Sequence, residues 1–488
     1  MACSSTSISA GVFSSFGVMG MSTFLVGKPV VTFWRSRYRQ HSQFQTETVS
    51  HQLQNVRFGA QNARACVGKS ADLLYFAYVV YELPGIRACD PGTTGGCVGT
   101  STNSFPVAKD CDLACSEADE ALFKTYATTG DDDPSQIQSG IDNYLLKTYR
   151  SCNQFGRNTC SSEGSEDTCV WAHWANAIGQ LLTKNAAVII GNQVVDVLNS
   201  DMLFIWEELA GQPGKRLTEM IGKRYSREDL IYDSQQTRFL YCPLPFFFTQ
   251  APGKALAIVS ALYTGVEISL CFEDLINCIV VSHDGLVVLN CHTGQPIQAG
   301  DLVAWIDLCH VYLDVPERDK FAVSSFNTLI KQHQYQSFMG NFNQMLLTFS
   351  HPVIELIIVF RRECQEASNN WFNYTGLLGK DPLWNLQLQF NSSVRQQRRE
   401  ATYYRLVQPW QFHTNIPDVP IYVYSFALYP EDVSSTGTVN FSRFESVTLS
   451  ATLQPGLTTA GPVTCFVHAT SFNLLKHVEG LLGAMFTL

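Results

Sequence analysis

Short runs of β-branched and aromatic residues recur along this chain, each closed by Gly, Pro or Asn. That punctuation restricts the fold more than any other feature. Residues 71–83 (ADLLYFAYVVYEL) read as one buried strand. Residues 187–197 read as two short strands about a Gly191-Asn192 turn. Segments 30–34, 257–270, 278–289, 303–313, 346–349, 353–360 and 421–428 continue the series. Helical signals are few: 116–128, 201–209, and a turn over 316–322 with Asp314 placed to cap it and Pro316 near its first position. The expected class is all-β, built of sandwiches or barrels. At 488 residues the chain exceeds what one core usually holds. The turn near 316 separates two strand-rich halves. The expected division is an arm over 1–23, a first sandwich over 24–315, a linker over 316–324, and a second sandwich with its tail over 325–488.

Residues 84–170 differ in kind. They are rich in Gly, Ser, Asp and Thr and hold Cys89, Cys97, Cys111, Cys115, Cys152, Cys160 and Cys169, with Cys66 just before. This reads as a long insertion between strands of the first half, and such loops usually carry surface function. Any disulfides are expected inside it, where short spacings close small loops. The N-terminus lacks the basic start of a signal peptide, and no apolar run reaches the ~18–20 residues of a membrane helix. A soluble product of the cytosol is expected, with thiols that start reduced.

The charge balance is −10, which argues against direct binding of nucleic acid. The basic runs 35–39 and 395–399 are short. They read as solvated strand ends or as local contacts with a neighbouring subunit or a membrane surface.

A search for chemistry returns little. Val67-Gly68-Lys69-Ser70 ends like a phosphate-binding loop, but Ala63 stands where that pattern wants Gly. There is no G-x-S-x-G, no H-E-x-x-H, no C-x-x-C and no H-x-H. The scattered cysteines suit disulfides or free thiols better than a metal. Glu207 and Glu208, adjacent on a helix, point in different directions and would not share a site. No catalytic, metal or cofactor site is expected. Asn373, Asn391 and Asn440 head N-x-S/T sequons, of which Asn373 and Asn391 are the candidates for glycosylation.

Ordered motifs then point to a family. Gln408-Pro409-Trp410, Tyr424-Ser425-Phe426-Ala427-Leu428, Thr436-Gly437-Thr438 and Asn440-Phe441-Ser442-Arg443 stand in succession. Upstream lie Leu25-Val26-Gly27-Lys28-Pro29 with Thr32-Phe33-Trp34, Pro243-Leu244-Pro245-Phe246-Phe247-Phe248 with Pro252-Gly253-Lys254, and Tyr312-Leu313-Asp314 with Glu317-Arg318. Ser350-His351-Pro352 and a tail from Asn473 to Gly483 complete the order. This resembles the major capsid proteins of nucleocytoplasmic large DNA viruses. Departures are Thr436 for the usual Ser, Lys254 for an apolar residue, Tyr263-Thr264-Gly265-Val266 for Tyr-His-Glu-Val, and the insertion, which has no counterpart.

The resemblance implies two tandem eight-stranded jelly rolls and a homotrimer forming a pseudo-hexameric capsomer. It further implies neighbouring capsomers, minor capsid and penton proteins, and an internal viral membrane as partners. It places the protein in the virion shell, assembled in a cytoplasmic factory. The motif residues are then structural, with alternate side chains of 246–248 and 424–428 filling sandwich cores. The insertion is the expected outward tower, and the arm is expected to bridge neighbours or touch the membrane side. The competing reading is a jelly-roll carbohydrate-binding or host-attachment protein, since fold alone does not fix function. A jelly-roll enzyme is disfavoured by the missing H-x-H and the missing carboxylate pair.

Overall fold

In the computed structural model, residues 41–89, 105–107, 170–282 and 284–486 are described. Gly27, Pro29, Phe33, strand segment 30–34, helix segment 116–128 and most of the insertion lie outside them. The chain divides into compact units 1–44 and 45–488, and the second carries two sandwiches.

The first half runs β1 (Phe44–Gln52), β2 (Ala63–Cys66), β3 (Leu73–Leu83), β4 (Ile86–Cys89), β5 (Ala172–Trp174), β6 (Thr183–Ile190), β7 (Gln193–Asn199), β8 (Arg238–Pro243), β9 (Leu256–Ala257), β10 (Val266–Phe272), β11 (Ile279–Val281), β12 (Val287–Asn290) and β13 (Val303–Leu313). The second runs β14 (Phe326–Met339), β15 (Met345–Leu347), β16 (Pro352–Arg362), β17 (Leu383–Phe390), β18 (Ser393–Glu400), β19 (Tyr422–Ser425), β20 (Val439–Asn440), β21 (Val447–Leu453), β22 (Val463–Val478) and β23 (Leu481–Ala484). Helices α1 (Ser200–Ala210), α2 (Val315–Val323) and α3 (Gln408–Phe412) matter below.

In the first half one sheet is ordered β1-β13-β3-β8 and the facing sheet β2-β10-β6-β7. In the second half the sheets are β14-β22-β16-β19 and β15-β21-β17-β18. The plan is the same twice: the opening strand lies beside the long closing strand, and the next strand belongs to the opposite sheet. That is a jelly roll, repeated in tandem. Inner faces alternate with outer ones along β10 and β13, as the pleat requires. Val79, Tyr81, Leu240 and Ile306 meet Val188, Ile268 and Phe272 in the first core. Leu356, Ile358, Phe360 and Val467 meet Leu386, Leu388 and Leu449 in the second.

Several sequence expectations are corrected. Segment 257–270 is not one strand: the chain leaves one sheet after Ala257, where β9 pairs β3, and enters the facing sheet at Val266 as β10. The excursion is held by the C-terminal hairpin, with Tyr263 N donating to Gly480 O (2.9 Å) and Leu482 N to Thr264 Oγ1 (3.0 Å). Segment 278–289 is split by a turn at Gly285, whose φ is +83°. Strand 421–428 stops at Ser425, whose hydroxyl bonds both the carbonyl and the N–H of Ala427 and so closes a local turn. Phe246, Phe247 and Phe248 do not alternate: they form a turn after Pro243 and all three are buried. Within 424–428 Tyr424 and Phe426 are half-buried and Leu428 is exposed, so that run does not fill the core throughout.

Between the halves, α2 is capped by Asp314, whose Oδ1 accepts from Val315 N (2.9 Å). Arg318 pairs with buried Asp72 (3.1 Å), and Asp72 also accepts from Leu313 N (2.8 Å). The linker is therefore tied back to the strand it leaves.

Candidate functional site

The sequence of β16, PVIELIIVFRR, is apolar on both parities, and nearly every residue is buried. A strand in a one-sided sheet would alternate; this one is covered on both faces. Leu356, Ile358 and Phe360 point into their own sandwich. Ile357 and Val359 join the core of the first half instead, with Val423 and Ile421 of the neighbouring chain segment. The joint between the sandwiches is thus a shared apolar layer, and the site that does structural work in this molecule.

α1 belongs to this joint. Asn199 caps it by accepting from Met202 N (2.8 Å). Phe204 stacks on Phe372 of the second half, ring centroids 4.6 Å apart. Asp201 pairs with Arg361 and accepts from Tyr374 Oη (2.7 Å). The Arg361 guanidinium also lies over Phe466 (4.9 Å), Tyr374 (5.6 Å) and Trp371 (5.7 Å). Burial opposes its charge, but Asp201 and its neighbours outweigh burial and raise its pKa.

A second polar node flanks the first. His413 Nδ1 lies 3.0 Å from Glu431 Oε1, and Nε2 lies 3.1 Å from Glu355 Oε2, near enough for an ion pair though not aligned as a hydrogen bond. Burial alone would lower this imidazole; Glu355, then Glu431, hold it up to about 9. Glu355 is buried, yet His413 and then Lys331 keep its pKa below the usual carboxylate range. Elsewhere along the joint, buried Asp196 of β7 accepts from His333 N (2.9 Å). Lys254 donates to Leu329 O (2.9 Å) and Ser260 bonds His477 (2.6 Å). Lys254, out of place for an apolar position, has a polar partner in the other sandwich.

Among the described residues no group of three or more His, Cys, Asp or Glu side chains is placed to hold a metal. Lys69 donates to Leu262 O and no helix follows it, so no phosphate cradle forms. Glu207 accepts from Gln180 (3.0 Å) while Glu208 pairs with Lys223, in different directions as expected. A cleft of about 480 Å³ lies between Gly191, Tyr263 and Leu482; Glu267 is the one carboxylate in its lining. Cys89 is disulfide-bonded, whereas Cys66, Cys242, Cys271, Cys278, Cys291, Cys309 and Cys465 are free thiols.

The motif residues are spread through the fold rather than gathered. Pro243 ends β8, Pro252 and Gly253 form a short turn, and Phe247 is buried. Glu317 lies on α2, and Pro352 opens β16 opposite Asn440. Gln408 and Pro409 are buried at the start of α3, with Gln408 Oε1 accepting from Ser425 N (3.1 Å). Phe441 is core, and Arg443 closes its short helical turn, capped by Asn440. At Gly437, φ is +147° and an added Cβ would sit 2.9 Å from Phe426 O, so that close approach needs glycine. Asn391 is exposed on the β17–β18 turn, whereas Asn373 is half-buried and accepts from Thr375 Oγ1 (2.7 Å).

Among the exposed apolar side chains of the described residues, two groups lie at matching places in the two halves. The outer face of the β1-β13-β3-β8 sheet presents Phe239, Tyr241 and Val303, with half-buried Trp305 edge-on to Phe239 at 6.4 Å. Beyond β18 the chain is helical from 401 to 412, with a π turn over Tyr403–Val407, and exposes Leu406, Val407 and Trp410.

Two jelly rolls joined by a buried layer define a protein of the double jelly-roll class. A family model described as large eukaryotic DNA virus major capsid protein matches residues 317–483, and one described as major capsid protein N-terminus matches 150–314. The major capsid protein of Pyramimonas orientalis virus is 30% identical over 64% of this chain and 78% of its own length. That of Phaeocystis pouchetii virus is 22% identical over 98% and 100%. Among solved structures, the Faustovirus major capsid protein superposes with a TM-score of 0.65 at 12% identity, covering 96% and 97%. PBCV-1 VP54 gives 0.63 at 18%, covering 94% and 100%. The chain belongs to the major capsid protein family of large eukaryotic DNA viruses. It is a structural component of the virion capsid.

Proposed function

We propose that this chain assembles as a homotrimer whose six jelly rolls form a pseudo-hexameric capsomer that tiles an icosahedral shell. The observation that carries the reading is the repeated strand order held at one buried joint, which makes each chain a rigid pair of like sandwiches. A ring of three such pairs presents six similar units, which suits a hexagonal tile. In this reading the motif residues act through packing, and the protein catalyses no reaction. Minor capsid and penton proteins and an internal membrane are its further partners. A cytoplasmic factory is its place of assembly, the 84–170 insertion is its outward tower, and exposed Asn391 is the better of its two glycosylation candidates.

The test is the solution mass of the purified full chain, by size exclusion with light scattering, with and without reductant. Three times the chain mass under both conditions is the expected result. A single-chain mass throughout would sink the trimer.

A further inference from the structure

The repeat makes these two exposed surfaces counterparts of each other. In the first half, β7 runs directly into α1, and α1 packs against the outer side of the second half's β14-β22-β16-β19 sheet, with Asp201 pairing Arg361 of β16 and Phe204 stacking on Phe372 in the loop between β16 and β17. In the second half the strand in the same topological place is β18, and it too runs directly into helix, over 401–412. That helix exposes Leu406, Val407 and Trp410 at helical spacing, Trp410 at 73%. The sheet matching the one that α1 covers is β1-β13-β3-β8. Its outer face exposes Phe239 at 55% and Tyr241 at 42%, beside Val303 and Trp305. Each half thus supplies one helix and one sheet face, and within a chain only one of the two possible seatings is made.

We propose that the second seating is made between chains: the Leu406-Val407-Trp410 stripe of one copy docks on the Phe239-Tyr241-Trp305 face of the next. This rests on the trimer reading and specifies the contact that would build it. The occupant follows from continuity with the interface already present inside the chain, where a helix after the corresponding strand covers the corresponding face. Charge agrees with it. Glu82 lies in the sheet face opposite Phe239 and Val303, and Arg398 and Arg399 stand exposed just before the stripe. Stripe and face are different patches, so the contact is head to tail and must close as a ring to bury every patch. Exposed aromatics of this size are typical anchors of such interfaces.

The experiment compares the full-length chain with Trp410→Asp, Tyr241→Asp and, as control, Val194→Asp, which alters an exposed apolar residue on the facing sheet. Light scattering is read beside circular dichroism and thermal melting, so that unfolding is not mistaken for dissociation. The proposal expects a threefold drop in mass for the first two variants, with folded spectra, and an unchanged trimer for Val194→Asp. Mixing the two dissociated variants restores one intact stripe and one intact face per pair, and should give twice the chain mass. A trimeric parent whose Trp410→Asp and Tyr241→Asp variants stay trimeric overturns the docking while leaving the trimer standing. Equal dissociation by Val194→Asp, or a mixture that remains at single-chain mass, also overturns it. A parent of single-chain mass overturns both.

Discussion

His413 is a buried imidazole that the fold holds in its charged form. It lies between Glu355 and Glu431, and those carboxylates hold its pKa at about 9 against the cost of burial. The unfolded chain would give it an ordinary value of about 6.5. A base whose pKa is raised on folding contributes stability that is complete below the unfolded value and is lost as pH rises through the folded one. The thermal midpoint of the protein should therefore fall as pH rises from about 7 through about 9, and His413→Gln should flatten that fall. An unchanged slope in the variant would place the effect on other groups. The sequence of β16 carries one member of this node and one of the neighbouring Asp201 node. Glu355 and Arg361 interrupt an otherwise apolar run, and buried charges need partners. It did not give those partners, because Asp201 lies 160 residues from Arg361 and meets it only once the sandwiches join.

At the scale of elements, β16 carries the clearest consequence. Ile357 faces the other sandwich and Ile358 its own, and both are buried. Truncating either to Ala should cost about 2–5 kcal/mol, the usual range for a large buried aliphatic side chain. A one-sided sheet would show that loss at only one of the two positions. Denaturant unfolding of Ile357→Ala and Ile358→Ala decides it, and a near-zero effect for Ile357→Ala would mean the joint is loosely packed. The same strand explains what could be read beforehand. A run such as 353–360 announces a strand through its β-branched content, and its hydrophobicity on both parities, broken only at Glu355, fits two covered faces. Strand 303–313 and helix 201–209 were legible for similar local reasons. Segments 257–270 and 421–428 were misread because tertiary hydrogen bonds from Gly480 and Leu482, and the local bonds of Ser425, displace strand pairing. The open stripe was not legible either: Gln408-Pro409-Trp410 reads as a family motif, and nothing in those letters says that Gln408 turns inward while Trp410 turns out.

At the scale of the molecule, the shared layer decides whether two sandwiches behave as two domains. Taken alone, the second sandwich would expose Ile357, Val359, Ile421 and Val423 as one apolar face, and would leave Arg361 without Asp201. An isolated half therefore carries an open hydrophobic patch, a recognised source of instability, and keeps for Arg361 only the 3.5 Å contact with Glu366. Contacts between independently stable domains in one chain tend to be more polar than this, and such domains melt separately. Here the loss of one sandwich removes the cover of the other, so the halves should unfold together. Differential scanning calorimetry of the dissociated Trp410→Asp chain isolates this from assembly, because ring contacts no longer contribute. One transition with matching calorimetric and van 't Hoff enthalpies is expected. Two resolved transitions would show that the joint is an ordinary domain contact, and the rigidity that makes a chain a ready-made third of a hexagonal tile would have to come from the trimer instead.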